Sequence, residues 1–171
     1  MVMNIRKAGL QDTKTVMEML KEAAVWLKSK GSSQWSDVLA GTDKHNLTEA
    51  VERGDVYLFN QNDEVVGMAA VWNLPTKWDC ELWSNIGLSQ DAYYIHRLIV
   101  HPNYRGKAYG SQMLKVIKAH FQNTAAELRL DCIASNDKLV RFYQEQGFRN
   151  AGTVQLENDG SFELFRCFIG E

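Results

Sequence analysis

The chain has 171 residues, 45% hydrophobic and 23% charged, with 19 Lys+Arg against 21 Asp+Glu for a formal charge of −2. That length suits one ordinary domain with a sizeable core; the balance argues against disorder, and the missing basic excess against a general nucleic-acid partner. Three cysteines (Cys80, Cys132, Cys167) without metal-ligand spacing, no signal-like start and no apolar run of about 18 residues predict one cytoplasmic domain over 1–171, with no membrane partner and no metal.

The elements follow in chain order. Residues 3–8 read as a short strand. Asp12 offers a cap to a helix in which Val16, Leu20, Ala23, Ala24 and Leu27 recur at helical spacing, and Gly31 ends it. The stretch 31–37 reads as a loop, and a second helix is expected over Asp43–Arg53. Val56–Phe59 and Val65–Trp72, flanking Gln61-Asn62-Asp63, predict a hairpin. From Pro75 to Gln90 no period emerges. A strand over Tyr93–Val100 leads into a glycine-containing loop and a helix from Gly110 to Phe121. A strand at Leu128–Cys132, a helix at Asp137–Gln146 and a hairpin turning at Asn158-Asp159-Gly160 complete a mixed α/β chain.

The most informative stretch is His101-Pro102-Asn103-Tyr104-Arg105-Gly106-Lys107-Ala108-Tyr109-Gly110-Ser111. A strand enters a loop with glycines and two cations, and a helix begins at once. The first turn of a helix leaves N–H groups unpaired at the positive end of its dipole, which suits phosphate. The spacing fits neither a Walker loop nor a GxGxxG fingerprint, and a plain turn with a basic tip would look the same locally.

Arg105-Gly106-Lys107-Ala108-Tyr109-Gly110 resembles the Arg/Gln-x-x-Gly-x-Gly/Ala signature of the GNAT superfamily of N-acetyltransferases, with Ala108 in place of the first glycine. Downstream, Asn136, Tyr143 and Gly147-Phe148 resemble that family's Asn…Tyr…Gly-Phe motif at the expected spacing. The resemblance covers essentially the whole chain. It implies the GNAT fold: a central, mostly antiparallel mixed sheet of about seven strands, flanked by helices and splayed at the cofactor site. It also implies acetyl-CoA as cosubstrate and direct attack by an amine in a ternary complex. Cofactor contacts would then come from Leu98, Ile99 and Val100 through their backbone, from Arg105, Gly106, Lys107, Ala108, Tyr109, Gly110 and Ser111, and from Asn136 and Tyr143. Asn136 could equally cap the helix bearing Tyr143.

Acetyl transfer needs a neutral nucleophile, and an alkylamine with a pKa of about 10.4 is mostly protonated at neutral pH. Tyr143 stands where the family carries its general acid, although a helix tyrosine also packs on cores. His96 is the candidate base because its imidazole titrates in a useful range. Strand alternation would put it on the face of Leu98 and Val100, as a packed histidine would be. His101 reads as a loop residue, His45 and His120 as surface.

The family resemblance places the acceptor beside 31–41 and 76–90. There Trp35, Trp78 and Trp83 with Asp37, Asp79 and Glu81 would suit a cationic amine, although tryptophans also fill cores. The expected function is an N-acetyltransferase for a small-molecule amine. The alternatives are a non-catalytic acyl-CoA-binding regulator and a protein or peptide N-acetyltransferase. A homodimer is compatible with the resemblance, with Phe162, Leu164, Phe165 and Phe168 of the last hairpin either at its contact or in the core.

Overall fold

A computed structural model of the protein describes residues 2–169. Its strands are β1 (Asn4–Lys7), β2 (Val56–Gln61), β3 (Glu64–Trp72), β4 (Ala92–Val100), β5 (Glu127–Ile133), β6 (Arg149–Leu156) and β7 (Gly160–Phe168). They form a seven-stranded sheet in the order β1-β2-β3-β4-β5-β7-β6. The β1/β2, β2/β3, β5/β7 and β6/β7 ladders are antiparallel, and β4/β5 is parallel. The β4/β5 ladder runs only from Ala92↔Glu127 to Tyr94↔Arg129. The helices are α1 (Thr13–Ser29), α2 (Ser36–Leu39), α3 (Leu47–Arg53), α4 (Lys77–Trp83), α5 (Tyr109–Phe121) and α6 (Asp137–Glu145). None is long and apolar enough to cross a membrane.

The chain forms two compact units. The first comprises the chain up to Val71 together with Arg97–Ile117. In it α1 buries Val16, Leu20, Ala23 and Ala24 of the expected stripe together with Met19, while Leu27 of that stripe is half-buried, and Gly31 stops the helix with φ 80°. The stretch 31–37 expected as loop ends inside α2, which begins at Ser36 after Trp35 in a left-handed conformation (φ 61°). The helix expected from Asp43 begins at Leu47. The Asp43 carboxylate accepts the N–H groups of His45 and Leu47 at 3.0 and 2.9 Å, and Asn46 caps α3 through Glu49 N–H. Short polar side chains that bond nearby backbone favour a turn over a helix interior. His45, expected at the surface, is buried under this turn, whereas His120 is exposed.

Asn62 and Asp63, with φ 53° and 64°, make the two-residue turn between β2 and β3. On β3, a Cβ at Gly67 would lie 2.7 Å from the Ile99 carbonyl oxygen and 2.5 Å from Met113 Sδ. Only glycine allows α5 and β4 to come this close. Met113, Leu114 and Ile117 of α5 are fully buried there; each such side chain contributes about 1.5–3 kcal/mol.

The second unit comprises Trp72–His96 and the chain from Lys118. The aperiodic stretch after Pro75 holds α4, begun by a capping box in which Thr76 Oγ accepts Asp79 N–H. Leu164 and Phe165 of β7 are buried with Leu128, Leu130 and Phe148, completing a core, while Phe162 is half-buried and Phe168 is 48% exposed. The turn between β6 and β7 spans three residues, 157–159, and Gly160 follows with φ 93°. Strand β6 ends the sheet order, and its register slips between Asn150 and Gly152, where φ is 138°.

Candidate functional site

In the first unit, β4 ends at Val100 and His101 opens the loop. His101 N–H donates to the Val66 carbonyl at 2.8 Å, and its Nδ1 accepts Asn103 N–H at 3.2 Å. One 3-10 turn (Pro102–Tyr104) leads into Arg105-Gly106-Lys107-Ala108, and α5 starts at Tyr109. Gly106 and Ala108 are both left-handed, with φ 78° and 62°. Gly106, Lys107 and Ala108 are exposed, while Tyr109, Gly110 and Ser111 are half-buried on the first turn. The loop thus brings exposed residues and the Lys107 charge to a helix N-terminus, where an anion is favoured. Ile99 of β4 is buried, and Leu98 and Val100 are half-buried.

Three side chains fasten this loop. The Arg105 guanidinium donates to both Glu22 oxygens at 3.2 and 2.8 Å and lies 4.5 Å from the centre of the Trp26 ring. Tyr104 donates to Glu64, and Tyr109 donates to Gln61 at 2.7 Å. The sequence suggests Arg105 as added positive charge at the loop; the structure pairs that charge with Glu22. Arg105 therefore acts here as an anchor to α1, and Lys107 carries the exposed charge.

Arg97 interrupts β4 with φ 51°, so simple alternation does not run through it. The expectation that His96 shares a face with Leu98 and Val100 fails at this bulge. His96 and Arg97 are consecutive and both buried. Arg97 Nη2 donates to Asp37 Oδ2 and Asp43 Oδ1, each at 2.9 Å, and its guanidinium lies 5.2 Å from the Trp35 ring centre. Arg97 Nε and Nη1 and Asp37 Oδ1 are buried without a hydrogen-bond partner. With two carboxylates to one guanidinium, the cluster carries a net charge of −1.

In the second unit, His96 Nε2 lies 2.6 Å from Asp79 Oδ1. Asp79 is fully buried on α4, and its other oxygen accepts Trp72 Nε1–H, Thr76 N–H and Thr76 Oγ–H at 2.9, 2.9 and 3.1 Å. Burial alone would raise the Asp79 pKa; the charge and hydrogen bond of His96, with those other donors, hold it below the usual carboxylate value.

Tyr143 sits on α6, 7% exposed, among Phe142, Phe148 and Phe165. Burial, then Cys132 and Asp131, push its phenol well above the ordinary tyrosine value, so it stays protonated. Burial also raises the Cys132 thiol to about 12, which leaves it a poor nucleophile. Asn136 is the N-cap of α6, its Oδ1 accepting Leu139 N–H at 3.0 Å.

The three tryptophans differ. Trp35 stacks on Arg97 as described. Trp78 is 9% exposed, and its Nε1–H is shared by the two Asp131 oxygens at 3.4 and 3.3 Å. Trp83 is completely buried, 4.6 Å from the Arg129 guanidinium and 6.2 Å from the Tyr94 ring. It fills the core of its unit instead of lining an open surface. Arg97 had no signal in the sequence, because a charged residue inside an apolar strand reads as an exception. Asp79 had only its nearness to Trp78. Among the described residues, no group of three or more His, Cys, Asp or Glu could hold a metal ion.

The profile of the acetyltransferase (GNAT) family matches residues 17–148. The chain is 33% identical over 147 residues to an uncharacterized N-acetyltransferase, YesJ, of Bacillus subtilis (strain 168), covering 85% of this chain and 81% of that one. A crystal structure of a GNAT-family acetyltransferase from Listeria monocytogenes 4b F2365 superposes with a TM-score of 0.80 at 32% identity, covering 98% of this chain and 95% of that one. An aminoglycoside acetyltransferase in complex with coenzyme A and kanamycin shares the fold, with a TM-score of 0.71 at 18% identity over 98% and 95% of the two chains. The spacing of Arg105, Gly106, Ala108 and Gly110, the sheet and these relatives agree: the chain belongs to the GNAT family of N-acetyltransferases.

Proposed function

We propose that the protein transfers the acetyl group of acetyl-CoA to the primary amine of a small molecule, by direct attack in a ternary complex. The observation that carries this reading is the loop Arg105–Gly110, in which Gly106, Lys107 and Ala108 are exposed and lead into the N-terminus of α5. It fits a pyrophosphate, which needs N–H donors and tolerates no bulky side chain. The backbone of Leu98, Ile99 and Val100 holds the pantetheine arm and polarises the thioester carbonyl. His96 removes a proton from the amine, the N–C bond forms and the C–S bond breaks.

Tyr143 serves the departing sulfur. A phenol whose pKa is raised by burial is a weaker acid than a thiol of about 8.5. Its O–H therefore stabilises the developing thiolate chiefly as a hydrogen-bond donor, and the proton lost by the amine completes the thiol. The cysteines take no part; all three are free, in keeping with a reducing cytoplasm.

Support for an amine comes from Asp37 and Asp43, which place two carboxylates against the one guanidinium of Arg97, a balance that favours a cationic ligand near Trp35. The test is calorimetric titration with acetyl-CoA, followed by thiol release with polyamines, aminoglycosides and amino acids. Binding plus release with one amine class is expected. Failure to bind acetyl-CoA would refute the assignment of the loop; binding with release only on peptides would refute the small-molecule acceptor.

A further inference from the structure

The stretch between α1 and α3 meets Arg97 through one nitrogen, and the polar atoms left over on the two sides are complementary. Arg97 is 3% exposed, and the bulge that gives it φ 51° turns its guanidinium towards this stretch. Nη2 donates to Asp37 Oδ2 and to Asp43 Oδ1, each at 2.9 Å. Nη1 and Nε are buried without an acceptor, and Asp37 Oδ1 is buried without a donor. A guanidinium presents its donors as a planar fork, which a carboxylate matches with two parallel hydrogen bonds. Here one of the two is made, and the groups for the other lie buried on the same pair of side chains. Leaving such groups unpaired is costly, so an arrangement that joins them lies close in energy.

The two carboxylates differ in their freedom. Asp43 is fixed by backbone on both oxygens, Oδ1 accepting His45 N–H at 3.0 Å and Oδ2 accepting Leu47 N–H at 2.9 Å. Asp37 is held through Oδ2 alone, which also accepts Lys44 N–H at 2.9 Å. That oxygen is a pivot about which Oδ1 can swing to the guanidinium. The Asp37 carbonyl accepts Thr42 N–H and Thr42 Oγ–H at 2.9 and 3.2 Å, so the swing carries residues 37–44 with it. Gly31 and Gly41, with φ 80° and 84° and nothing within 4 Å of an added Cβ, supply turning points.

From these matched unpaired groups we infer that the stretch 31–46 is a strap with two settings on β4, and that Arg97 is its latch. In the closed setting Asp37 keeps Oδ2 on Nη2 and brings Oδ1 to one of the two nitrogens now unpaired, while Asp43 stays on Nη2. The Trp35 ring, its centre 5.2 Å from the guanidinium, travels with the strap. The setting therefore decides how much of Trp35 and of the Asp37 charge a ligand meets.

Relaxation dispersion of ¹⁵N signals in the free protein tests this, since it reports exchange on the microsecond-to-millisecond scale. Amides within 31–46 and the Arg97 Nε–H should exchange at one common rate with a minor setting populated at about 0.1–10%. Arg97→Lys keeps a positive charge for both carboxylates but has no fork, so strap exchange should vanish. Asp37→Asn removes the same hydrogen bond from the other side: its amide oxygen keeps the pivot, and its NH₂ group offers the guanidinium a donor. It too should abolish the exchange, and it decides if Arg97→Lys does not fold. Flat dispersion in the wild type would overturn the inference, as would unrelated rates for Arg97 and the strap, or strap exchange that persists in either variant. The readout needs neither acetyl-CoA nor an amine, so failure of the proposed function would not register in it.

Discussion

Replacing Ala108 by glycine tests whether the loop Arg105–Gly110 stores backbone strain. An L-residue in the left-handed region costs about 1–2 kcal/mol, and Ala108 stands there with φ 62°. Glycine would remove that cost and add about 0.4–1 kcal/mol of unfolded-state entropy. The Ala108 methyl is exposed, so little hydrophobic burial is lost. The expected net gain is about 0.5–1 kcal/mol, or a rise in Tm of roughly 1–4 °C for a chain of this size. Gly106→Ala is the matched control: φ is 78° and nothing lies within 4 Å of the added Cβ, so its cost is backbone strain alone. Offset by the unfolded-state entropy that alanine removes, the net loss should be about 0.5–1 kcal/mol, the mirror of the gain at Ala108. Denaturant unfolding at pH 7 reads both as changes in midpoint at constant slope. Two variants moving in the same direction, or Ala108→Gly less stable than wild type, would refute the strain argument.

Gly67→Ala should destabilise by about 1–3 kcal/mol, since the new methyl meets the Ile99 carbonyl and Met113; a thermal melt unchanged from wild type would show that β3 and α5 can separate at no cost. Arg105→Ala should weaken coenzyme A binding about tenfold, roughly 1.4 kcal/mol by calorimetry, and Glu22→Gln should weaken it too, because both release the loop from α1. Tighter binding by Glu22→Gln would mean instead that Glu22 restrains a guanidinium otherwise available to phosphate. Tyr143→Phe should lower kcat roughly 100-fold while sparing acetyl-CoA affinity; undiminished turnover would assign the sulfur's donor to another group. On acidification, Asp79 and Asp12 both have folded-state pKa values below the ordinary one, Asp12 chiefly through Arg6. Their stabilisation is complete above about pH 4 and fades as the pH falls through the lower folded values. Asp79→Asn should flatten that part of a stability-versus-pH curve, and a curve of unchanged shape would deny the pair its contribution.

What could be read from the sequence depended on period and on local chemistry. The stripe Val16, Leu20, Ala23, Ala24 and the run Met113, Leu114, Ile117, Phe121 repeat at helical spacing and are buried as that spacing requires. The motif from Arg105 to Gly110 was visible because left-handed backbone and a helix start leave marks in residue type. By contrast, α4 is seven residues long, and its stability comes from the Thr76–Asp79 cap and from burying Trp78, Leu82 and Trp83, which no periodicity over two turns reveals. The bulge at Arg97 escaped for a related reason: arginine carries no left-handed signature, and its partners Asp37 and Asp43 lie 60 and 54 residues away. The pairing of Arg105 with Glu22 spans 83 residues and was equally out of reach. Local rules found the loop, whereas long-range ion pairs decide how it is held.

The kinked final strand bears on behaviour at high concentration. Strand β6 lies at the end of the sheet, where a flat strand would offer a row of unpaired backbone groups to any passing chain. The slip between Asn150 and Gly152 breaks that row, and Arg149, Asn150, Thr153 and Gln155 are exposed along the strand. Such an edge resists open-ended stacking of copies into fibrils.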